Sequence, residues 1–99
     1  MNQPTPQLKP SASILLIDDH PLLRRGVKQL IDLDPALQVI AEASDAQSGL
    51  EQAQQHQPDL ILLDLNMPHI NGIESLKLMR AAGVNCFIIV FTVSDDEED

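Results

Sequence analysis

The sequence predicts an α/β fold of the doubly wound kind, in which helices cover both faces of a parallel sheet. Short aliphatic runs bounded by polar residues recur along the chain, and stretches with helical spacing lie between them. Alternation of this kind favours right-handed crossovers between parallel strands. The 99 residues, of which 43% are hydrophobic, suffice for one globular domain with one core rather than for a disordered chain.

Four strands and three helices are expected in alternating order. The strands are predicted over residues 13–17, 38–43, 59–63 and 86–93, and the helices over about 21–31, 45–56 and 73–82. Pro21 suits a first helical turn, Ser44 or Asp45 can cap the second helix, and Gly83 stops the third. Ser94 and the acidic residues after it indicate the start of a fourth helix. Residues 1–12, rich in Pro, Gln and Ser, are expected to form a flexible leader to a domain over 13–99.

Composition excludes several classes of function. Six Lys and Arg against fifteen Asp and Glu give a net charge of −9, which argues against direct nucleic-acid binding. Phe87 and Phe91 are the only aromatic residues, so an aromatic platform for stacking bases is absent. Cys86 is the single cysteine, so an internal disulfide is impossible. The sequence contains no signal peptide and no apolar run of about 18 residues, which predicts a cytoplasmic protein without membrane contact.

Acidic residues stand at the ends of two predicted strands. Asp18 and Asp19 follow the first strand, and Asp64 follows the third. In the flavodoxin-like strand order 2-1-3-4-5, ligands bind between strands one and three, at the carboxyl ends. Three carboxylates are therefore expected at one edge. They repel one another unless a cation joins them, and oxygen ligands favour Mg²⁺ or Mn²⁺. A carboxylate beside such an ion can be a nucleophile toward phosphorus.

Each of these residues also has a simpler interpretation. A lone Asp at a strand end usually caps a helix or closes a turn, and the doublet with the third carboxylate is what favours a site. Thr92 lies at the end of the fourth strand, where its hydroxyl could donate to a phosphoryl oxygen, but for this residue taken alone β-propensity is the better explanation. His20 could contact a phosphodonor, although an exposed residue at a helix start is the simpler interpretation.

Four segments together resemble receiver domains of two-component response regulators, over about residues 13–99. They are LLIDDHP at 15–21, ILLDLNMP at 61–68, NGIE at 71–74 and IIVFTVS at 88–94. Within that family, DDHP and DLNMP resemble the nitrate/nitrite response regulators, whose output is a LuxR-type helix-turn-helix domain. The resemblance implies a flavodoxin-like receiver fold and a phosphorelay function in transcription regulation.

The resemblance also implies residue roles. Asp64 matches the phosphoacceptor, Asp19 the carboxylate that binds Mg²⁺ directly, and Asp18 its partner, which often acts through water. Asn66 matches the position whose backbone carbonyl reaches the metal, and Thr92 matches the switch hydroxyl. The implied phosphodonor is a phosphohistidine on a sensor histidine kinase, with the first helix as part of its docking surface.

The sequence departs from the family pattern after residue 99. The family's fifth strand with its lysine, its fifth helix and the DNA-binding domain would all lie beyond Asp99, so we expect an incomplete sheet of about four strands. The apolar edge of the fourth strand then predicts a homodimer or a swapped dimer. His69 stands where relatives often have Gly.

Two other functions remain open. A phosphatase of the haloacid-dehalogenase type also uses an Asp nucleophile after a buried strand, but its second Asp would fall at position 66, which is Asn. A non-catalytic interaction fragment would bind the kinase or a full-length regulator without being phosphorylated. The leading hypothesis is a phosphoacceptor module that is not an enzyme.

Overall fold

The computed structural model describes residues 12–65 and 72–92, which form seven elements that alternate along the chain. They are β1 (Ala12–Ile17), α1 (Pro21–Asp32), β2 (Leu37–Ala43), α2 (Ala46–His56), β3 (Leu60–Asp64), α3 (Gly72–Ala81) and β4 (Phe87–Phe91). The four described strands are all parallel, in the order β2-β1-β3-β4. This confirms the predicted flavodoxin-like fold and places β1 and β3 side by side in the centre of the sheet.

The starts of three strands differ from the prediction by one residue each: β1 begins at Ala12, β2 at Leu37 and β3 at Leu60. β1 begins at Ala12, one residue inside the predicted leader, because the Ala12 N–H donates to the Ala36 carbonyl at 3.0 Å. The rest of the leader, residues 1–11, lies outside the described residues. Asp59 directly precedes β3: its Oδ2 accepts from the Ser13 N–H at 2.9 Å, and its own N–H donates to both the carbonyl and Oγ of Ser13. Asp64, by contrast, belongs to β3 as its last residue.

β4 is shorter than predicted. It covers five residues, so Cys86 precedes the strand and Thr92 follows it. The rest of the predicted strand, Val93, and the predicted fourth helix lie outside the described residues. Cys86 packs against the core, and burial raises the pKa of its thiol.

The ends of α2 and α3 follow from local chemistry. Asp45, rather than Ser44, caps α2: its Oδ1 accepts from the Ser48 N–H at 2.8 Å, which lowers the pKa of Asp45. α3 ends at Ala81 and is followed by Gly83 at φ +92°, a left-handed conformation that glycine adopts without strain. The guanidinium of Arg80 then donates to two carbonyls in the connection to β4. These contacts fix the entry of β4 into the sheet.

The core lies along the central strands. Its largest fully buried aliphatic side chains come mainly from β1 and β3: Ile14, Leu15, Leu16, Ile17, Ile61, Leu63 and, from α3, Met79. None of the α1 residues is fully buried, and Leu30 of α1 is 69% exposed because no described element covers it. Phe87 and Ile89 of β4 are also exposed at the edge of the described sheet. Among the described helices, none has the length and apolar character needed to span a bilayer.

Candidate functional site

A cluster of carboxylates lies at the carboxyl edge of the two central strands. Asp18 directly follows β1, and Asp64 ends the neighbouring β3, so the ladder between these strands holds them side by side. Both side chains are fully buried, and that of Asp19 is 27% exposed. One ligand atom from each of these residues and from His20 lies within 4.8 Å of all the others. The structure thus brings together the three carboxylates named from the sequence.

Asp18 is held rigidly at this edge. Its backbone N–H donates to the carbonyl of Ala43 at 3.0 Å, and its own carbonyl accepts from Nη1 of Arg24 at 2.7 Å. Arg24 is held in turn by Glu42, whose Oε1 lies 3.0 Å from the guanidinium Nε. Oδ1 of Asp18 accepts from the His20 N–H at 2.9 Å. The backbone and one carboxylate oxygen of Asp18 therefore have fixed positions.

The second carboxylate oxygen of Asp18 has a different environment. Oδ2 is buried and has no hydrogen-bond partner among the residues that the structure describes. A charged oxygen taken out of water without a partner is strongly unfavourable. Together with Asp19 and Asp64, this oxygen offers the oxygen-rich donor set that Mg²⁺ and Mn²⁺ prefer. The described residues therefore fit a hard divalent cation.

His20 is the site residue whose position the sequence did not reveal. Its Nδ1 lies 3.1 Å from Oδ1 of Asp18, 3.0 Å from Oδ1 of Asp19 and 3.6 Å from Oδ2 of Asp64. The hydrogen bond to Asp18, with the charges of all three carboxylates, raises the pKa of His20 against the opposing effect of desolvation. The ring is half exposed, as expected for a helix start, yet it faces the acidic cluster. The available signal was its position directly after the Asp pair.

The other predicted site residues lie at the same edge or outside the described part. Thr92 follows Phe91, which is the register partner of Asp64, and the Leu65 N–H donates to the Phe91 carbonyl at 2.8 Å. Thr92 is exposed. Asn66 and His69 lie outside the described residues.

Comparison with known proteins identifies the same domain. The response regulator receiver domain profile matches residues 14–99. Over 88 residues the chain is 56% identical to the nitrate/nitrite response regulator protein NarL of Escherichia coli K12, a match that covers 89% of this chain and 41% of NarL. A nitrate/nitrite response regulator homolog of Haemophilus influenzae is 50% identical over 86 residues, covering 87% of this chain and 41% of the homolog.

A solved structure has the same fold. The chain resembles a LuxR-family two-component response regulator from Aurantimonas sp. SI85-9A1 with a TM-score of 0.79 and 35% identity. This likeness covers 86% of the present chain and 61% of the other. The chain spans about two fifths of the length of the curated relatives, and the matched part is their receiver portion.

Proposed function

The chain belongs to the response regulator receiver domain family, of the nitrate/nitrite regulator type, and from this membership we propose that it accepts a phosphoryl group on Asp64. The observation that carries the proposal is the position of Asp18, Asp19 and Asp64, whose ligand atoms lie within 4.8 Å of one another at the switch point of the sheet, between β1 and β3. This proposal is preferred to a haloacid-dehalogenase type phosphatase, because Asn66 stands where that class of enzyme has its second Asp.

The proposed cofactor is Mg²⁺ or Mn²⁺, held by the carboxylates of Asp18, Asp19 and Asp64 and by the backbone carbonyl of Asn66. The unpartnered buried oxygen of Asp18 supports this assignment, because a cation is the group that would satisfy it. When bound, such an ion neutralises negative charge on the phosphoryl oxygens and on the carboxylates around them.

Asp64 is suited to be the nucleophile by its position on a central strand. Residues Leu60 to Asp64 pair with β4, so the backbone that carries the carboxylate is rigid. A carboxylate oxygen of Asp64 forms a bond to phosphorus while the bond from phosphorus to the donor nitrogen breaks, and the departing imidazole keeps the electron pair and takes a proton. The hydroxyl of Thr92 then donates to a phosphoryl oxygen.

The proposed donor is a sensor histidine kinase that docks on α1. Two basic side chains of α1, Arg24 and Lys28, form ion pairs with Glu42 and Asp32, at 3.0 Å and 2.9 Å. The exposed apolar side chains of α1, including Leu22 and Leu30, leave a surface for helix packing beside them. For the whole protein, we propose nitrate/nitrite-dependent regulation of transcription in the cytoplasm through a DNA-binding output domain, without catalytic turnover by the receiver.

The test is incubation with a small-molecule phosphodonor, with and without Mg²⁺, followed by intact mass measurement. A phosphoryl adduct is expected only with Mg²⁺, and Asp64→Asn is expected to abolish it. A folded wild-type chain that acquires no adduct would contradict the proposal.

The exposed apolar surfaces favour one alternative function. With Leu22 and Leu30 exposed on α1 and Ile89 on the edge strand, the chain could act as a non-catalytic partner for the kinase or for a full-length regulator. Binding of the kinase that is identical for the wild type and for Asp64→Asn, in the absence of any adduct, would favour this alternative.

A further inference from the structure

We infer that His20 is a nitrogen ligand of the cation site, so that the site binds imidazole-preferring divalent ions such as Ni²⁺, Co²⁺ and Zn²⁺ more tightly than Mg²⁺. The inference rests on the proposed function, because it takes the carboxylate cluster to be the cation site. It concerns which ions the site selects rather than whether it accepts a phosphoryl group.

The ring nitrogen of His20 and the carboxylate oxygens around it have the spacing of neighbouring metal ligands. Nδ1 of His20 lies 3.0 Å to 3.6 Å from one oxygen of each of Asp18, Asp19 and Asp64. Neighbouring ligands at about 2.1 Å from an octahedral ion are about 3.0 Å apart, and opposite ligands about 4.2 Å. One ligand atom from each of the four residues lies within 4.8 Å of all the others, a spread only slightly wider than the about 4.2 Å between opposite ligands, so a small side-chain adjustment brings the four residues around one ion.

The role of His20 at the start of the helix does not explain the position of its ring. His20 occupies the N-cap of α1, where Ser, Thr, Asp or Asn would normally bond to the first turn. Its side chain makes no capping hydrogen bond, and its ring turns toward the carboxylates instead. The backbone N–H of His20 bonds to Asp18 Oδ1, so the ring is attached to the cluster by a fixed piece of main chain.

The carboxylate of Asp18, which is bonded to His20, has one oxygen without a hydrogen-bond partner among the described residues. Oδ2 of Asp18 is buried without a hydrogen-bond partner among the described residues, although Oδ1 of the same carboxylate is bonded to His20. An ion bound to Oδ2 would give this buried oxygen the partner that it lacks. The ring of His20, unlike this oxygen, is half exposed to solvent.

The chemistry of the ligand atoms determines which ions bind more tightly when an imidazole is present. Mg²⁺ takes oxygen ligands and gains little from imidazole, whereas imidazole suits Ni²⁺, Co²⁺ and Zn²⁺, which also stand high in the general order of affinity. Three carboxylates with one imidazole therefore form a mixed site that binds both kinds of ion. Loss of the imidazole is expected to weaken the binding of Ni²⁺, Co²⁺ and Zn²⁺ more than the binding of Mg²⁺.

The experiment is calorimetric titration of the chain with Mg²⁺ and with Ni²⁺ at about pH 8, above the ordinary pKa of imidazole. The variant is His20→Gln, and the matched control is His56→Gln, which removes an exposed histidine at the end of α2, remote from the cluster in the fold. For His20→Gln, the ratio of the Ni²⁺ to the Mg²⁺ dissociation constant is expected to rise by about 10–100-fold or more, the loss that removal of even an outer-shell partner causes. His56→Gln is expected to leave that ratio unchanged.

Pulsed electron paramagnetic resonance with Mn²⁺ supplies a readout independent of affinity. Nitrogen coupling to the bound ion is expected in the wild type and in His56→Gln, and is expected to be absent in His20→Gln. Mn²⁺ bound without nitrogen coupling in the wild type would overturn the inference.

The calorimetric outcomes separate the inference from the proposed function. If His20→Gln weakens the binding of Mg²⁺ and Ni²⁺ equally, His20 only orients the carboxylates. If His20→Gln binds both ions more tightly, the imidazolium of His20 competes with the ion. Either result overturns the inference and leaves the cation site in place. A wild-type chain that binds neither ion would overturn the proposed cation site, and the inference with it.

Discussion

Removal of one buried carboxylate should stabilise the chain when no divalent ion is present. Asp18 and Asp64 are fully buried, with donor atoms no more than 4.8 Å apart. Two unit charges at that distance repel by about 3.5 kcal/mol at an effective dielectric constant of about 20. The nearby imidazole of His20 and dissolved salt offset part of this repulsion. We therefore expect Asp18→Asn, which keeps an acceptor for the His20 N–H, to raise the free energy of unfolding by about 1–3 kcal/mol.

Divalent ions should reverse the order of stability. Wild-type chain with Mg²⁺ at 100 times its dissociation constant gains about 2.7 kcal/mol, because the ion binds only the folded state. Asp18→Asn has lost a ligand and should gain much less at the same concentration. Urea unfolding with and without Mg²⁺, at constant ionic strength, measures both differences.

Glu51→Gln is the control for charge alone, since Glu51 is an exposed carboxylate on α2. It should change neither the ion-free stability nor the response to Mg²⁺ by more than about 0.5 kcal/mol. The reasoning is refuted if Asp18→Asn destabilises the ion-free chain, or if the variant and the wild type gain equally from Mg²⁺.

Three further predictions concern the scaffold. Asp45→Ala should lower the melting temperature at neutral pH. Because the pKa of Asp45 is lowered in the folded state, the difference in melting temperature should shrink as the pH falls below about 3.9 and through the folded pKa. A difference that stays unchanged in acid would contradict the capping role of Asp45. Gly49→Ala should destabilise the chain by up to about 2 kcal/mol in urea unfolding, since a Cβ would lie 2.6 Å from Cδ1 of Ile17. The control Gly26→Ala, with open space around the added Cβ, should stabilise the chain by about 0.5–1 kcal/mol. Ile89→Lys should reduce self-association of the 99-residue chain in sedimentation, and unchanged association would exclude the apolar edge of β4 as its cause.

The position of the carboxylate cluster could be predicted from the sequence. The aliphatic runs before Asp18 and Asp64 are typical of strands buried on both faces, and alternation with helices implies that these strands are parallel. Parallel strands end at the same edge, so the topology places Asp18 and Asp64 there without any knowledge of side-chain contacts. The general rule for the switch point then places the site between β1 and β3.

Other features depend on contacts that no local pattern encodes. Ala12 extends β1 through a hydrogen bond to Ala36, and Asp59, just before β3, bonds to Ser13 through both its backbone and its side chain. The direction of the His20 ring is set by a side-chain torsion and by three carboxylates, one of which lies 44 positions along the chain. Sequence periodicity reports which face of an element is apolar, and it carries no information about such torsions.

The most direct test of the account is to locate the phosphoryl group. The chain is phosphorylated with a small-molecule donor and Mg²⁺, reduced with borohydride, digested and sequenced by mass spectrometry. Reduction converts an aspartyl phosphate to homoserine, which marks the residue that carried the group. The account predicts homoserine at position 64 and unmodified aspartate at Asp18 and Asp19. Homoserine at position 18 or 19 would contradict the assignment of Asp64 as the phosphoacceptor.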